Sequence, residues 1–394
     1  MKTERLFILV LLLCAGVWNL KGQTRQKYDV AAFLYPAYVS DDVRLRPFWP
    51  MGMGEWETVM TMQQRNPGHY WNRRPLWGYV NEADSAVMAM EIDQAASHGV
   101  NVFIFDWYWF DNRPFMETTL RNGFLKAPNR DRMKFYLMWA NHDVQNYWDT
   151  RIAQLGENNV IWQGKVGREE FERICRRDIE MYFKQPNYYK IEGRPVFMIY
   201  DLHNLIDGLG GVDQTADALR WFKKETVKAG FPGLDLQFAM WSVNLNYSGF
   251  DSDKGKNPED DFIRRLGFTS ATHYQFAHFL WMDDEYPKIA ERAEKEWNRI
   301  DSAYTSFTYY PHVSIGWDNS PRTGKSPHVR NNTPENFEKA LRQGRDYLDR
   351  HPKLHPLITI NSWNEWTETS YLEPDNVYGY GYLNAVKHVF VDGK

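Results

Sequence analysis

The sequence predicts an α/β fold, a single (β/α)8 TIM barrel with a long loop insertion after strand 1, on three observations. Eight short apolar runs rich in β-branched and aromatic residues recur between residues 29 and 363. Helical patterns separate them, so strand and helix alternate as a parallel sheet requires. The runs are nearly continuous in hydrophobicity rather than alternating, as strands buried on both faces are.

The runs are DVAAFLYP (29–36), NVFIFDWYW (101–109), KFYLMWAN (134–141), PVFMIYD (195–201), LDLQFAMW (234–241), FTSATHY (268–274), HVSIGWD (312–318) and LITINSW (357–363). Helices are predicted over 84–98, 168–183, 213–229, 286–300 and 334–349. Gly99 and Gly230 follow the first and third as stop signals, and Thr333-Pro334 opens the last as N-cap and first helical residue. An open doubly wound sheet is the alternative. Its nucleotide fingerprint is missing, because neither G-x-G-x-x-G after the first strand nor a P-loop occurs. An insertion of about 45 residues, rich in Trp, Gly, Pro and Arg, follows the first strand, and its length suits a functional loop over the barrel mouth.

With 394 residues, 43% of them hydrophobic and 25% charged, the chain has the composition of a globular protein. A net charge of −4 without a long basic run argues against a nucleic-acid or anionic-membrane partner. Aromatic residues reach 16%, more than a core demands, and a surplus of Trp and Tyr beside polar residues suits the stacking of sugar rings. At the N-terminus, Lys2 and Arg5 precede an apolar run from Leu6 to Trp18. That pattern predicts a signal peptide over residues 1–24, too short to span a membrane, followed by a barrel over 25–394 in a secreted or periplasmic protein. Leu13 before Cys14 disfavours a lipoprotein anchor. Cys175, left alone once the leader is removed, falls in a helical pattern and reads as core.

Barrel active sites occupy the C-terminal ends of the strands. Those ends carry Tyr35, Asp106-Trp107, Asn141-His142-Asp143, Asp201, Trp241, His273-Tyr274, Trp317-Asp318 and the run from Asn361 to Glu368. The sharpest motif is ITINSWNEWTETSYLEPD (358–375). Glycosidic cleavage needs one carboxyl to protonate the leaving oxygen and one basic carboxylate. Glu365 and Glu368, three apart, become neighbours on a helical turn. Their mutual repulsion and the flanking Trp rings raise one pKa, which keeps that group protonated. Asp106, Asn141 and Asp143 are candidates for sugar hydroxyls, and Trp107, Trp139 and Trp317 for stacking. Tyr35, His273, Tyr274, Asn364 and Trp366 are further binding candidates by position. From the insertion come Glu55 and Trp56, with a salt bridge from Glu55 to Arg73 or Arg74 as the alternative. No H-e-x-x-H-type motif or Cys pair suggests a metal, His69 reads as an ordinary histidine, and no cofactor is expected. The acidic stretch Asp251, Asp253, Glu259, Asp260 and Asp261 reads as a solvated loop in preference to a calcium site.

NSWNEWTE followed by LEP resembles the C-terminal signature of the WbsX-type family, proteins with a glycoside hydrolase family 99-like domain, which reads N-x-W-N-E-W-x-E-G with L-E-P shortly after. FWPMGMGEWETV (48–59), GHY (68–70), DWYWF (106–110) and MWANHD (138–143) resemble further family blocks, in order, over nearly the whole chain. The resemblance implies a barrel and a retaining mechanism. Glu365 would act as base on the sugar's own 2-hydroxyl, forming a 1,2-anhydro sugar. Glu368 would protonate the leaving oxygen and then activate water. Family 99 members cleave inside α-mannosides, so an endo-α-mannosidase-like hydrolase of an α-linked glycan is the expectation. Thr369 stands where the family has Gly, and Asn141-His142-Asp143 replaces an N-E pair, which puts turn shape and sugar identity in question. The alternatives are a glycosyltransferase, which the leader argues against, and a non-catalytic carbohydrate-binding barrel. An oligosaccharide or polysaccharide is the expected partner, bound by a monomer.

Overall fold

The computed structural model describes residues 26–39, 42–62, 73–146, 160–241, 257–324 and 326–393. The predicted leader over 1–24 lies outside them. Nine parallel strands form one curled sheet: β1 (Asp29–Leu34), β2 (Val102–Phe110), β3 (Lys134–Trp139), β4 (Arg194–Ile199), β5 (Asp235–Met240), β6 (Ser270–His273), β7 (Thr308–Tyr309), β8 (His312–Ser314) and β9 (Leu357–Asn361). Their order is β7-β6-β5-β4-β3-β2-β1-β9-β8.

Each of the eight predicted runs holds a strand, and the seventh strand begins earlier than predicted, at Thr308, and is split. Thr308 and Tyr309 pair with β6, while His312 to Ser314 pair with β9. Between them the Tyr310 amide donates to the Ala271 carbonyl at 2.9 Å, and the Pro311 carbonyl accepts from the Thr359 amide at 3.0 Å. One segment thus joins both ends of the sheet. Pro311 has no N–H to continue a ladder, which is why the segment divides where it does. Inside, the barrel is partly polar: the Thr272 and Thr359 hydroxyls meet at 2.7 Å, and the Tyr136 hydroxyl donates to Gln237 at 2.9 Å. Such groups are tolerated in a buried core because they satisfy one another.

The predicted helices form, at Ser85–Ser97, Arg168–Asp178, Val212–Lys228, Tyr286–Ala303 and Pro334–Arg350. Asp84 caps the first by accepting from the Ala86 amide, and Thr333 caps the last by accepting from the Asn336 amide. A π-turn, Ile179–Phe183, carries the second on to its expected end. Cys175 is fully buried in that helix, as its apolar surroundings demand.

The acidic stretch is corrected in part. Glu259, Asp260 and Asp261 form the first turn of a helix, Pro258–Leu266, capped by Asn257. Negative charge there opposes the helix dipole, and Asp260 also accepts the Thr305 and Ser306 amides. Asp251 and Asp253 lie outside the described residues.

Between β1 and the Ser85–Ser97 helix lie a 3-10 turn, Val43–Leu45, and a short helix, Trp56–Thr61. Among the described residues no helix is long and apolar enough to cross a membrane.

Candidate active site

A cavity of about 410 Å³ opens where the strands end. Tyr35 follows β1, Asp106 and Tyr108 come from β2, Tyr274 follows β6, and Glu365 and Glu368 follow β9. Met138, Ala140, His142, Asp143 and Gln145 line it from and beyond β3, with Tyr200, Asp201, Asn204, Trp241, Asn319 and Arg322 completing the wall.

Glu365 and Glu368 bracket a 3-10 turn, Trp366–Glu368, and that turn brings both into one cavity. The turn ends at Thr369, whose φ of 57° is left-handed. A residue with a Cβ costs about 1 kcal/mol there, which accounts for glycine in the family signature at this position. Gly316 packs against the turn. A Cβ on it would come within 2.4 Å of the Thr369 carbonyl and 2.5 Å of the Asn332 amide nitrogen.

Arg322, on the turn Ser320–Thr323 beyond β8, organises the acids. Its Nε and Nη2 donate to Glu55 at 3.0 and 3.2 Å, Nη2 to Glu365 at 3.0 Å and Nη1 to Glu368 at 2.8 Å. One guanidinium therefore faces three buried carboxylates. Glu55 is held further by the Thr367 hydroxyl at 3.2 Å.

The two motif glutamates are not equivalent. Glu365 accepts from Arg322 and from the Tyr274 hydroxyl at 2.8 Å. Burial raises its pKa, opposed by Arg322. Glu368 accepts only from Arg322, leaving Oε2 without a partner among the described residues. Burial and the neighbouring Glu365 charge push Glu368 up to about 8. Glu365 is therefore the better-supported carboxylate, and Glu368 the one whose surroundings favour the protonated form.

The Tyr274 hydroxyl also lies 2.8 Å from Asp106 Oδ2. Tyr274 thus stands between the two carboxylates, within donating distance of each. Burial, then the Glu365 charge, hold the Asp106 carboxyl well above the usual range, opposed by the Tyr274 hydroxyl.

Several binding candidates do not reach the cavity, and strand parity is the reason. Successive strand residues face opposite sides. With Asp106 and Tyr108 inside, Trp107 faces outward, where its indole donates to Glu117 at 2.9 Å. With Met138 and Ala140 inside, Trp139 packs on Phe171 of the helix layer, and Asn141 exchanges hydrogen bonds with the Asp201 backbone at 2.7 and 2.8 Å. His273, next to inward Tyr274, is stacked on Phe279 and bonded to the Tyr309 hydroxyl. Trp317 packs against the core.

Asn364 and Trp366 are buried scaffold. Asn364 binds both backbone groups of Tyr35, at 2.8 and 2.9 Å, and Trp366 stacks on Tyr371. Trp56 is buried with its indole on the Val80 carbonyl. Glu55 reaches the site only through Arg322. Its partner is not Arg73, which donates to the Tyr371 hydroxyl, nor Arg74.

Asp143 does line the cavity, holding the Gly164 amide and the Asn204 side chain. The GHY block (68–70) lies outside the described residues.

Arg322, Tyr108, Tyr200, Asn204 and Asn319 are cavity residues that the strand-end pattern did not single out. Parity identifies Tyr108, two residues from Asp106. Arg322 has no such signal.

The fold and site together define a parallel α/β barrel with paired acids at the C-terminal mouth. The matching solved structures agree in fold. A GH99 endo-alpha-mannosidase from Bacteroides thetaiotaomicron is 14% identical, with a TM-score of 0.59 over 93% of this chain and 96% of its own. A chain described as a glycoside hydrolase-like protein is 14% identical, with a TM-score of 0.60 over 93% and 95%. The family model described as Glycosyltransferase WbsX matches residues 30–386, and the chain belongs to that family. Two curated relatives, each called "Uncharacterized protein WxcX", come from two strains of Xanthomonas campestris pv. campestris. Each is 25% identical over 354 residues, 86% of this chain and 46% of the relative. The chain thus spans about half the length of the curated relatives it matches.

Proposed function

We propose that this protein is a retaining glycoside hydrolase that cleaves an α-linked glycan outside the cytoplasm, with mannose among the candidate sugars. The observation that carries the reading is the unequal surroundings of two adjacent buried glutamates in one cavity. Glu365, charged and fixed by Arg322 and Tyr274, takes the proton of the sugar's 2-hydroxyl as that oxygen attacks the anomeric carbon. Glu368 gives its proton to the departing glycosidic oxygen. The anhydro sugar is then opened by water, which Glu368, now a base, deprotonates while Glu365 returns the 2-hydroxyl proton. The sharing of this barrel with a GH99 endo-alpha-mannosidase supports the reaction class.

The family description favours glycosyl transfer as the second reading. Both readings use the same acid pair, and they differ in the acceptor.

The deciding experiment is product release from a panel of glycans, α-mannans included, by wild type and Glu368→Gln. Hydrolysis of one glycan that falls by about 10²-fold or more in the variant supports the proposal. Glycan binding without turnover by either protein makes this a sugar-binding barrel. Products that appear only with an added glycosyl donor and acceptor establish transfer.

A further inference from the structure

A second acidic cluster lies behind the catalytic turn and outside the cavity. Glu82 precedes the helix Ser85–Ser97, Glu91 sits within it, and Glu373 follows the turn. All three are buried, at 0%, 0% and 2% exposure. One carboxylate oxygen from each lies within 4.8 Å of the other two.

Each acid has one oxygen occupied. Glu82 accepts from the Asn364 amide at 2.7 Å, Glu91 from the Trp363 indole at 3.1 Å and Glu373 from the Trp366 indole at 2.5 Å. The other oxygens, Glu82 Oε2, Glu91 Oε1 and Glu373 Oε1, are buried and have no partner among the described residues. Among the described residues no lysine or arginine acts on the three. Three carboxyl groups shut away from water without a cation are costly, and native proteins pair such charges or bind a metal with them.

We infer that Glu82, Glu91 and Glu373 form a structural site for a hard divalent cation of calcium's size. The geometry suits one. Three oxygens no more than 4.8 Å apart leave a centre at most about 2.8 Å from each (4.8 Å divided by √3), close to the roughly 2.3–2.6 Å of a calcium–oxygen bond. All-oxygen ligation selects calcium-like ions over zinc or copper. Asn364 and the two indoles each hold one oxygen of an acid and so fix the orientation of the three carboxylates. Because Asn364 and Trp366 flank Glu365 in sequence, the ion would fix the catalytic turn from behind. This inference does not depend on which sugar reaction the cavity performs.

The test is elemental analysis of the full-length protein, purified without chelator and dialysed against metal-free buffer, with melting curves in EDTA and in calcium chloride. About one divalent ion per chain is expected. EDTA should lower the melting temperature and calcium restore it. Glu82→Gln and Glu91→Gln should lose both the metal and the EDTA response.

Wild type that carries no metal and melts alike in EDTA and calcium overturns the inference. So does metal that persists in both variants, since it must be bound elsewhere. Variants as stable as wild type also overturn it, because glutamine mimics a protonated glutamate and the cluster would then be held by shared protons. If neither variant folds, the wild-type metal content and EDTA response decide.

Discussion

Replacing Arg322 by methionine removes the one cation that, among the described residues, pairs with Glu55, Glu365 and Glu368, whose side chains are 1%, 5% and 10% exposed. Arg322 itself is 15% exposed, so solvent screens these contacts little. Removing one partner of a buried pair costs about 3–5 kcal/mol, because the other charge is left uncompensated. The cost depends on pH. Arg322 lowers the pKa of both Glu365 and Glu368, so its loss drives both further up. A carboxyl whose folded pKa exceeds its unfolded value gives stability that is present below the unfolded value, near 4.5, and lost as pH rises through the folded one. Arg322→Met should therefore lose about 3–5 kcal/mol at pH 8 and clearly less at pH 5. Urea unfolding at the two pH values measures this, and adding Glu55→Gln should recover part of the loss at pH 8. Equal losses at both pH values, or a loss under about 0.5 kcal/mol as at an ordinary surface site, would refute the electrostatic reasoning.

Four further outcomes follow from the site. With a hydrolysed glycan in hand, kcat/KM should fall as pH rises through about 8, when Glu368 loses its proton, and Glu368→Gln should abolish that limb. Glu368→Gln should lose far less activity on an aryl glycoside with an acidic leaving group than on a glycan, since such a phenol needs no proton; equal losses on both would deny Glu368 the acid role. Tyr274→Phe removes a hydrogen bond to the Glu365 carboxylate, worth about 1.5–3 kcal/mol, and should shift the acid limb of the pH profile upward; a drop in activity with an unmoved profile would contradict this role of Tyr274. Gly316→Ala forces a Cβ against the Thr369 carbonyl and should cost about 1–3 kcal/mol in a thermal or urea melt, with reduced turnover.

The barrel was legible because both faces of its strands are covered, so DVAAFL and LITIN are buried throughout and mostly apolar, and stand out from the helices between them. The helix bounds followed where a cap is written into the sequence, as at Asp84 and Thr333. Proline at 311 hid the division of the seventh strand, since the sequence pattern there begins only at His312. In the site, Glu365, Glu368, Asp106, Asp143, Tyr35 and Tyr274 reach the cavity. Trp107, Trp139 and His273 do not, although they stand beside residues that do. Composition at a strand end cannot separate these neighbours, but alternation along the strand can once one inward residue is known. Arg322 was illegible for a different reason. Its role depends on three acids brought from two distant parts of the chain, and nothing in SPRTGK announces them.

The divided strand at Tyr310 and Pro311 bears on how the barrel opens. Elsewhere in the sheet each strand's pairings with its two neighbours overlap, but here the first half holds one neighbour and the second half the other. The sheet is therefore a ribbon clasped at one place, and the clasp is only a few hydrogen bonds wide. Local opening takes the cheapest route, so amide exchange should be fastest among the strands at Thr308–Ser314. Arg322 hangs from the chain just beyond that clasp, whereas Glu365 and Glu368 hang from β9 across it. Opening between His312–Ser314 and β9 would separate the guanidinium from the two glutamates, whereas opening between Thr308–Tyr309 and β6 would leave them together, so one half of the clasp also sets the charge balance of the acid pair.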